Sequence, residues 1–469
     1  KDITRQWISS VLCGAVNLEQ MRQLSYPSLE VLIGPQISSN YRQRERLHDI
    51  ANEENTAAVW RENSLLVEAQ KEDTFLYDPH GIEYTGEQKI LRGWLGGSHK
   101  VAKAYYQDFV HTVNGKPVMA FLEDNYEDLR LRFPRQVPQF RQVLGVKQNH
   151  KLTFVIDRAI YDLEDLRSYR EKDIFVITWE KGIKNLLWEP PNSECVGSFS
   201  IIKYKNCRQS SITYYVQYYR QAWSREPSFW RYVVSLQKGD EVAPVILPVL
   251  CTDPTRSAER SVRPILERWL QENDLLYSIV NVGINEITSY KNLSYAEIAD
   301  SLTDHEMINP TARKLCAQKL QLKRLWGKEL VRREEKRKNK ELFIEKSNQD
   351  LAKINQDIQE SIDPAKQKEL KKKSKQRLAK KKRKQKTYEN FKSKSQNDEA
   401  DILIQIEAIT KDLEKESPKT SRLENLIEQQ FRKLNFAPKA YMDAIRITAR
   451  NIFGNLHSQF RPIYNNYRN

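Results

Sequence analysis

Metal-binding patterns of cysteine and histidine are missing from this chain. Its five cysteines, Cys13, Cys195, Cys207, Cys251 and Cys316, lie far apart with no CxxC pair, and its seven histidines show neither His-x3-His nor Cys/His spacing. Both absences argue against a zinc centre. An odd number of dispersed cysteines fits a reducing compartment rather than a disulfide framework. No apolar run reaches the length of a membrane span and no signal peptide is visible, so a cytoplasmic protein with no membrane contact is expected. The chain opens on Lys1 rather than Met, in the middle of a helical pattern, which leaves room for a preceding segment. Hydrophobic residues make up only 39%, low for a compact enzyme but too many for disorder throughout.

Positive charge is plentiful. Lys and Arg number 77 against 62 Asp and Glu, a formal charge of +15 over 469 residues, and the length suits two to four domains. Such an excess points to a polyanionic partner, with nucleic acid first. The charge is also clustered. "KQKELKKKSKQRLAKKKRKQK", residues 366–386, holds thirteen Lys or Arg against one Glu. A run of this kind is commonly a solvated helical face. It also binds phosphate backbone without reading bases, with a steep salt dependence. Lys371, Lys372, Lys380, Lys381 and Arg383 are its candidate DNA contacts.

The pattern divides into six stretches. Residues 1–70 read as helical, either a DNA-end-binding module or a plain scaffold. In 71–182 strands are expected at 74–78, 101–113, 117–122, 152–157 and 173–179, with "NGKP" at 114–117 as a hairpin turn. Helices are expected at roughly 126–144, interrupted by Pro134 and Pro138, and around 162–170. Residues 183–250 are rich in β-branched and aromatic residues and read as a β-rich insertion, with "PVILPVLCTD" returning to the core. In 251–311 a closing helix over 258–285 carries Glu272. Residues 312–415 form a basic helical hairpin or coiled coil. Two short stripes have coiled-coil spacing there, Leu351, Ile354, Ile358, Ile362 and Ile402, Ile406, Ile409, Leu413, and Pro364 marks the turn. A last helical region covers 416–469.

Two apolar strands run straight into aspartate: "FLYD" into Asp78 and "LTFVID" into Asp157. A carboxylate at the end of a buried strand is costly unless something positive meets it. The order β-β-β-α-β-α-β, three antiparallel strands and then two crossover strands, is the ribonuclease H-like layout, in which the first and fourth strands are neighbours. Asp78 and Asp157 then converge. Two aspartates and a helical glutamate can hold two Mg²⁺, or Mn²⁺, through oxygen ligands alone.

The stretches "YDPHGIEYTGEQKILRGW", "FVIDRAIYDLEDLRS", "ILERWLQEN" and "ITARNIFGNLHSQFRPIYNNYR" resemble a family of bacterial insertion-sequence transposases. The resemblance spans most of the chain and is weakest over 330–400. It implies a DDE transposase with a ribonuclease H-like catalytic core, located in the bacterial cytoplasm at the nucleoid. It implies Asp78, Asp157 and Glu272 as the catalytic, metal-binding triad, and it alone prefers Glu272 to Glu267. It further implies double-stranded DNA as partner and a homodimer in the DNA complex. Some members carry Tyr, two residues, Arg, three residues, Glu, six residues, Lys. Arg268 and Glu272 keep the Arg-to-Glu spacing, but Ile265 and Ile279 stand at the Tyr and Lys positions, so those two carry over no 5′-phosphate contact. Arg268, one turn before Glu272, is expected at a phosphate. Trp223 and Trp230, among Arg220 and Arg231, are candidates for stacking on an unpaired base, with strand packing as the alternative. Arg158 is a further candidate DNA contact, or a local ion pair to Asp157. Asp162, Glu123 and Asp124 are competing carboxylates.

Overall fold

In the computed structural model of the chain, the described residues are 2–24, 26–34, 37–124, 128–157, 160–183, 186–190, 196–205, 210–239, 243–302, 307–416, 420–421, 423–461 and 463. Four helices come first: α1 (Asp2–Leu12), α2 (Tyr26–Ile33), α3 (Asn40–Ile50) and α4 (Glu53–Leu66). Strands β1 (Thr74–Glu83), β2 (Arg92–Leu95), β3 (Lys100–Thr112) and β4 (Pro117–Glu123) lead to α5 (Leu129–Leu144), β5 (Leu152–Ile156), α6 (Leu163–Glu171) and β6 (Ile174–Trp179). Then follow β7 (Val196–Lys205), β8 (Ser210–Trp223), β9 (Glu226–Lys238), β10 (Val245–Cys251), α7 (Ala258–Leu266) and α8 (Trp269–Asn281). The remainder is β11 (Asn292–Ser294), β12 (Met307–Ile308), α9 (Pro310–Glu360), α10 (Pro364–Lys415), β13 (Thr420–Ser421), α11 (Leu423–Glu428), β14 (Arg432–Leu434) and α12 (Ala437–Phe460). Two compact units result: a sheet unit of 1–307 with 423–469, and a hairpin unit of 308–422.

The sheet unit is mixed α/β around one ten-stranded sheet, ordered β2-β3-β1-β5-β6-β10-β9-β8-β7, with β4 also paired to β3. β1 is antiparallel to β3 and parallel to β5, and β5 is parallel to β6. Strands β7 to β9 are not a separate β body. β10 pairs antiparallel with both β6 and β9, so the aromatic-rich strands prolong the main sheet. One face packs Phe75, Tyr77, Phe133, Phe140 and Phe154 beneath α5. The other packs Leu76, Val155 and Ile177 against Val262 and Ile265 of α7. Helix α12 joins the N-terminal helices, where Tyr441, Met442 and Ile445 meet Trp7, Met21 and Leu47.

Two helices depart from the sequence expectation. α5 runs unbroken through Pro134 and Pro138. Proline lacks the N–H that would bond the carbonyl four residues back. The carbonyl freed by Pro134 belongs to Arg130, and the Tyr169 hydroxyl donates to it at 2.5 Å. The single closing helix expected over 258–285 is instead two, α7 and α8, broken at Glu267 and Arg268. Pro264 frees the carbonyl of Arg260, and Arg256 Nε donates to that oxygen at 3.1 Å. The turn between β3 and β4 holds Gly115 at φ +78°, and a Cβ there would come within 2.9 Å of Leu270 Cβ in α8. Glycine thus serves both the turn and the close approach of α8 to the sheet.

The hairpin unit is α9 and α10, of 51 and 52 residues, antiparallel within one chain. Contacts pair Asn309 with Glu416, Trp326 with Glu399, Asn348 with Lys381 and Asp350 with Arg377, in opposite directions along the two helices. The two aliphatic stripes therefore lie at opposite ends of the hairpin and do not face each other. Ile362 is 97% exposed in the turn and belongs to neither seam. No described helix is long and apolar enough to cross a membrane.

Candidate active site

The parallel register of β1 and β5 pairs Thr74 with Thr153 and ends at Tyr77 with Ile156. The next position in register is Asp78 beside Asp157. Side chains alternate along a strand. Leu76 and Val155 face α7, so Asp78 and Asp157, two residues on, have that same parity. Asp157 follows the end of β5 and is exposed. Asp78 does not end its strand, contrary to expectation. β1 continues to Glu83 against β3, pairing Asp78 with Phe109 and Pro79 with Asp108. What ends at Asp78 is the pairing with β5. With no neighbour on that side, a proline is tolerated at the next position.

The helix break delivers the partner cation. Arg268, at the start of α8, donates from Nη2 to Asp78 Oδ1 at 3.0 Å, and both side chains are mostly buried. Burial pushes the Asp78 carboxyl above its usual range; Arg268 and His111 pull it down, and the nearby negative charges of Glu272 and Asp157 push it up. Asp78 thus feels both other acids of the expected triad. Glu272 is exposed on the first turn of α8, next to Arg268 along the helix. Arg268 and Glu272 line a cleft of about 320 Å³ whose other walls include Lys203, Trp179, Tyr214 and Trp269. Lys203 Nζ stands 4.9 Å from the Trp269 ring centroid.

The competing carboxylates have other partners. Glu267 is paired with Arg263 at 3.4 Å. Asp162 caps α6, accepting from the N–H groups of Glu164 and Asp165. Asp124 accepts from the Tyr295 hydroxyl at 2.7 Å. Glu123 accepts from Gln136 at 2.9 Å, and burial pushes its carboxyl up to about 7. His80 is hydrogen-bonded to Asn285 at 3.0 Å, and burial lowers its pKa.

One group escaped sequence reasoning. His111 is fully buried on β3, with Nε2 3.3 Å from Asp274 Oδ2 and Nδ1 3.1 Å from Gln271 Nε2. Arg450 Nη2 of α12 reaches Asp274 Oδ1 at 2.9 Å. Gln271 and Asp274 flank Glu272 on α8, so this chain of polar contacts ties the helix bearing Glu272 to β3 and α12. The only sequence signal was the polar His within a β-branched and aromatic strand.

Three carboxylates with no sulfur or imidazole suit Mg²⁺ in donor chemistry. Their spacing does not yet suit it: among the described residues no three His, Cys, Asp or Glu stand together as a ligand set. In this arrangement Asp78 is neutralised by Arg268 instead.

The expected DNA contacts separate. Trp223 is 1% exposed, donates to Glu180 at 2.8 Å and stacks on Phe229, which leaves no face for a base. Its place among arginines in a strand-rich stretch had left both roles open; the fold makes it core. Trp230 donates to the Pro254 carbonyl at 3.0 Å and has the Arg220 guanidinium 4.6 Å from its ring centroid. Arg231 is bound to Glu180 at 2.6 Å. Arg220 is exposed. On α10, Lys371, Lys372, Lys380 and Arg383 are exposed, while Lys381 donates to Asn348 at 2.6 Å. Arg158 lies outside the described residues.

No protein-family model matches the chain, and no curated protein matches it. Among solved structures it has a partial likeness to the cryo-EM structure of a piggyBac transposase synaptic complex with hairpin DNA, at 10% identity and a TM-score of 0.27. The match covers 59% of this chain, and the chain spans 59% of the length of that one. A TM-score at this level carries no argument about fold or activity.

Proposed function

We propose that the chain is a DNA transposase, with Asp78, Asp157 and Glu272 as the acids that hold two divalent cations at a phosphodiester. The observation that carries this reading is the parallel register that runs β1 and β5 into Asp78 and Asp157, with Arg268, one helical turn before Glu272, bonded to Asp78 at 3.0 Å. The strand order β4-β3-β1-β5-β6, antiparallel and then parallel, supports a ribonuclease H-like core. The +15 charge supports double-stranded DNA as partner. With Arg268 released from Asp78, the three acids would hold Mg²⁺ or Mn²⁺, and the chemistry supplied would be a lowered pKa for an attacking hydroxyl and charge stabilisation at a leaving oxygen. In this scheme Arg268 would hold a phosphate once it leaves Asp78, and the His111–Asp274–Arg450 contacts would keep α8 in position. On this reading, water cleaves the element's ends, the freed 3′-hydroxyl attacks target DNA, and a dimer holds both ends in the complex.

The test uses the full chain, a labelled duplex carrying the element's end, and Mg²⁺ or Mn²⁺. Strand-transfer products are expected, and Asp157→Asn should reduce cleavage at least ~100-fold, the scale of losing one charge-stabilising group, while duplex affinity stays within about twofold. Unchanged cleavage would remove the assignment. A second reading, a non-catalytic DNA-binding protein, is favoured by the Arg268–Asp78 pair standing where a ligand set was expected. It predicts duplex binding with no metal-dependent cleavage.

A further inference from the structure

The lysine run on α10 is not a single face. Successive residues of a helix point in different directions, so Lys371, Lys372 and Lys373 spread around the axis. Several of its cations are also engaged: Lys373 with Glu369, Arg377 with Asp350, Lys381 with Asn348. Further along the hairpin another arrangement occurs. Lys336 of α9 stands 3.8 Å from the centroid of Phe391 on α10, Lys340 of α9 4.3 Å from Tyr388 on α10, and Lys384 of α10 5.2 Å from Phe343 on α9. Each cation reaches across the seam to a ring of the other helix. All six residues line one cleft of about 250 Å³.

A ring holds an ammonium group in place without cancelling its charge, as a carboxylate would. Among the described residues no ion pair forms to Lys336, Lys340 or Lys384. Of the acids close in sequence on α9, Glu334 and Glu341 are within reach of Arg337, at 2.7 and 3.8 Å, and Glu335 forms no ion pair among the described residues. Arg332, 5.4 Å from the Phe391 ring, is paired with Glu329 at 3.3 Å and is not counted among these cations. Lys336 and Lys340 lie one turn apart, about 6 Å along the helix. The result is a set of fixed, uncompensated positive charges contributed by both helices.

We propose that this ring-backed cluster, Lys336, Lys340 and Lys384 over Phe391, Tyr388 and Phe343, is a phosphate-binding site for duplex DNA and the hairpin's principal contact with it. The proposal shares with the proposed function the choice of duplex DNA as partner, but it needs no catalysis. Ring-held ammonium groups lose less freedom on meeting phosphate than the exposed Lys371, Lys372 and Lys380, so each displaces counterions more fully.

The test compares two charge-matched variants of the full chain: Lys336→Gln/Lys340→Gln/Lys384→Gln and Lys371→Gln/Lys372→Gln/Lys380→Gln. Binding to a random-sequence duplex is followed by fluorescence anisotropy between 50 and 200 mM salt. At about 0.9 per phosphate contact, the slope of log affinity against log salt should become shallower by about 2.7 in the first variant and by no more than about 1 in the second. Circular dichroism should show equal helicity and melting in both. Equal slopes for the two variants would overturn the proposal. So would an effect confined to duplex RNA or to phosphatidylglycerol vesicles, run alongside. Cleavage by the same variants separates the two claims: a changed slope without any metal-dependent cleavage by the parent chain refutes the transposase reading alone, whereas cleavage with equal slopes refutes only this site.

Discussion

The sheet unit and the hairpin unit solve burial in opposite ways. In the first, side chains far apart in sequence are packed until rings touch rings: Phe154 meets Phe75, Tyr77, Phe133 and Phe140. In the second, the buried described residues are Ala312, Ser347 and Ser395, and the seam is carried by half-buried rings and by ion pairs such as Arg333–Glu399. The hairpin has little core to lose. Its order rests on strong helix formers in long uninterrupted runs, with proline and an aspartate or asparagine cap at each start. Charge can accumulate there because almost nothing is desolvated. In the sheet unit a charge is buried only with a partner, as Asp108 is with Arg132 at 2.7 Å.

Core substitution should separate the units most. Phe154→Ala is expected to cost about 3–5 kcal/mol by leaving a cavity among rings, whereas Leu351→Ala in the half-buried seam should cost no more than about 1.5 kcal/mol. Chemical denaturation of both variants measures this, and equal costs would erase the distinction. A smaller effect concerns Glu123. Its folded pKa is raised from 4.5 to about 7 by burial, so the native state holds the proton more tightly than the unfolded chain. Stability from this site is present below about 4.5 and lost as pH rises through 7. Glu123→Gln keeps a partner for Gln136 and should flatten that decline in melting temperature between pH 5 and 8. A decline of unchanged steepness would place its origin elsewhere. The smallest effect belongs to the hairpin. Arg377 and Asp350 are each about one-third exposed, so Asp350→Asn should cost at most about 1 kcal/mol, less at high salt. A larger loss would show the hairpin relying on ion pairs as the sheet unit does.

Much of the candidate site was legible in short windows. The two apolar segments that run into Asp78 and Asp157 announce themselves by composition, and alternation gives both aspartates one parity. Glu267 and Glu272 could not be separated that way, because each lies on a helical segment with an Arg one turn before it. The structure separates them by partner: Glu267 goes to Arg263, while Glu272 stands beside Arg268 and within electrostatic reach of Asp78. Trp223 looked like Trp230 in sequence, two tryptophans among arginines, and only burial distinguished them.

By itself the sequence determined the strands of the core, the long antiparallel helices and the surplus of positive charge, since these follow from propensity, periodicity and composition acting over a few residues. Tertiary structure alone decided that β7 to β9 extend the main sheet, that a break after Leu266 carries Arg268 to Asp78, and that His111, Asp274 and Arg450 meet from three distant elements. The physical reason is range. Backbone preference acts between neighbours, but a buried charge is satisfied by whichever opposite group the packed chain brings within about 3 Å, and no local window contains both.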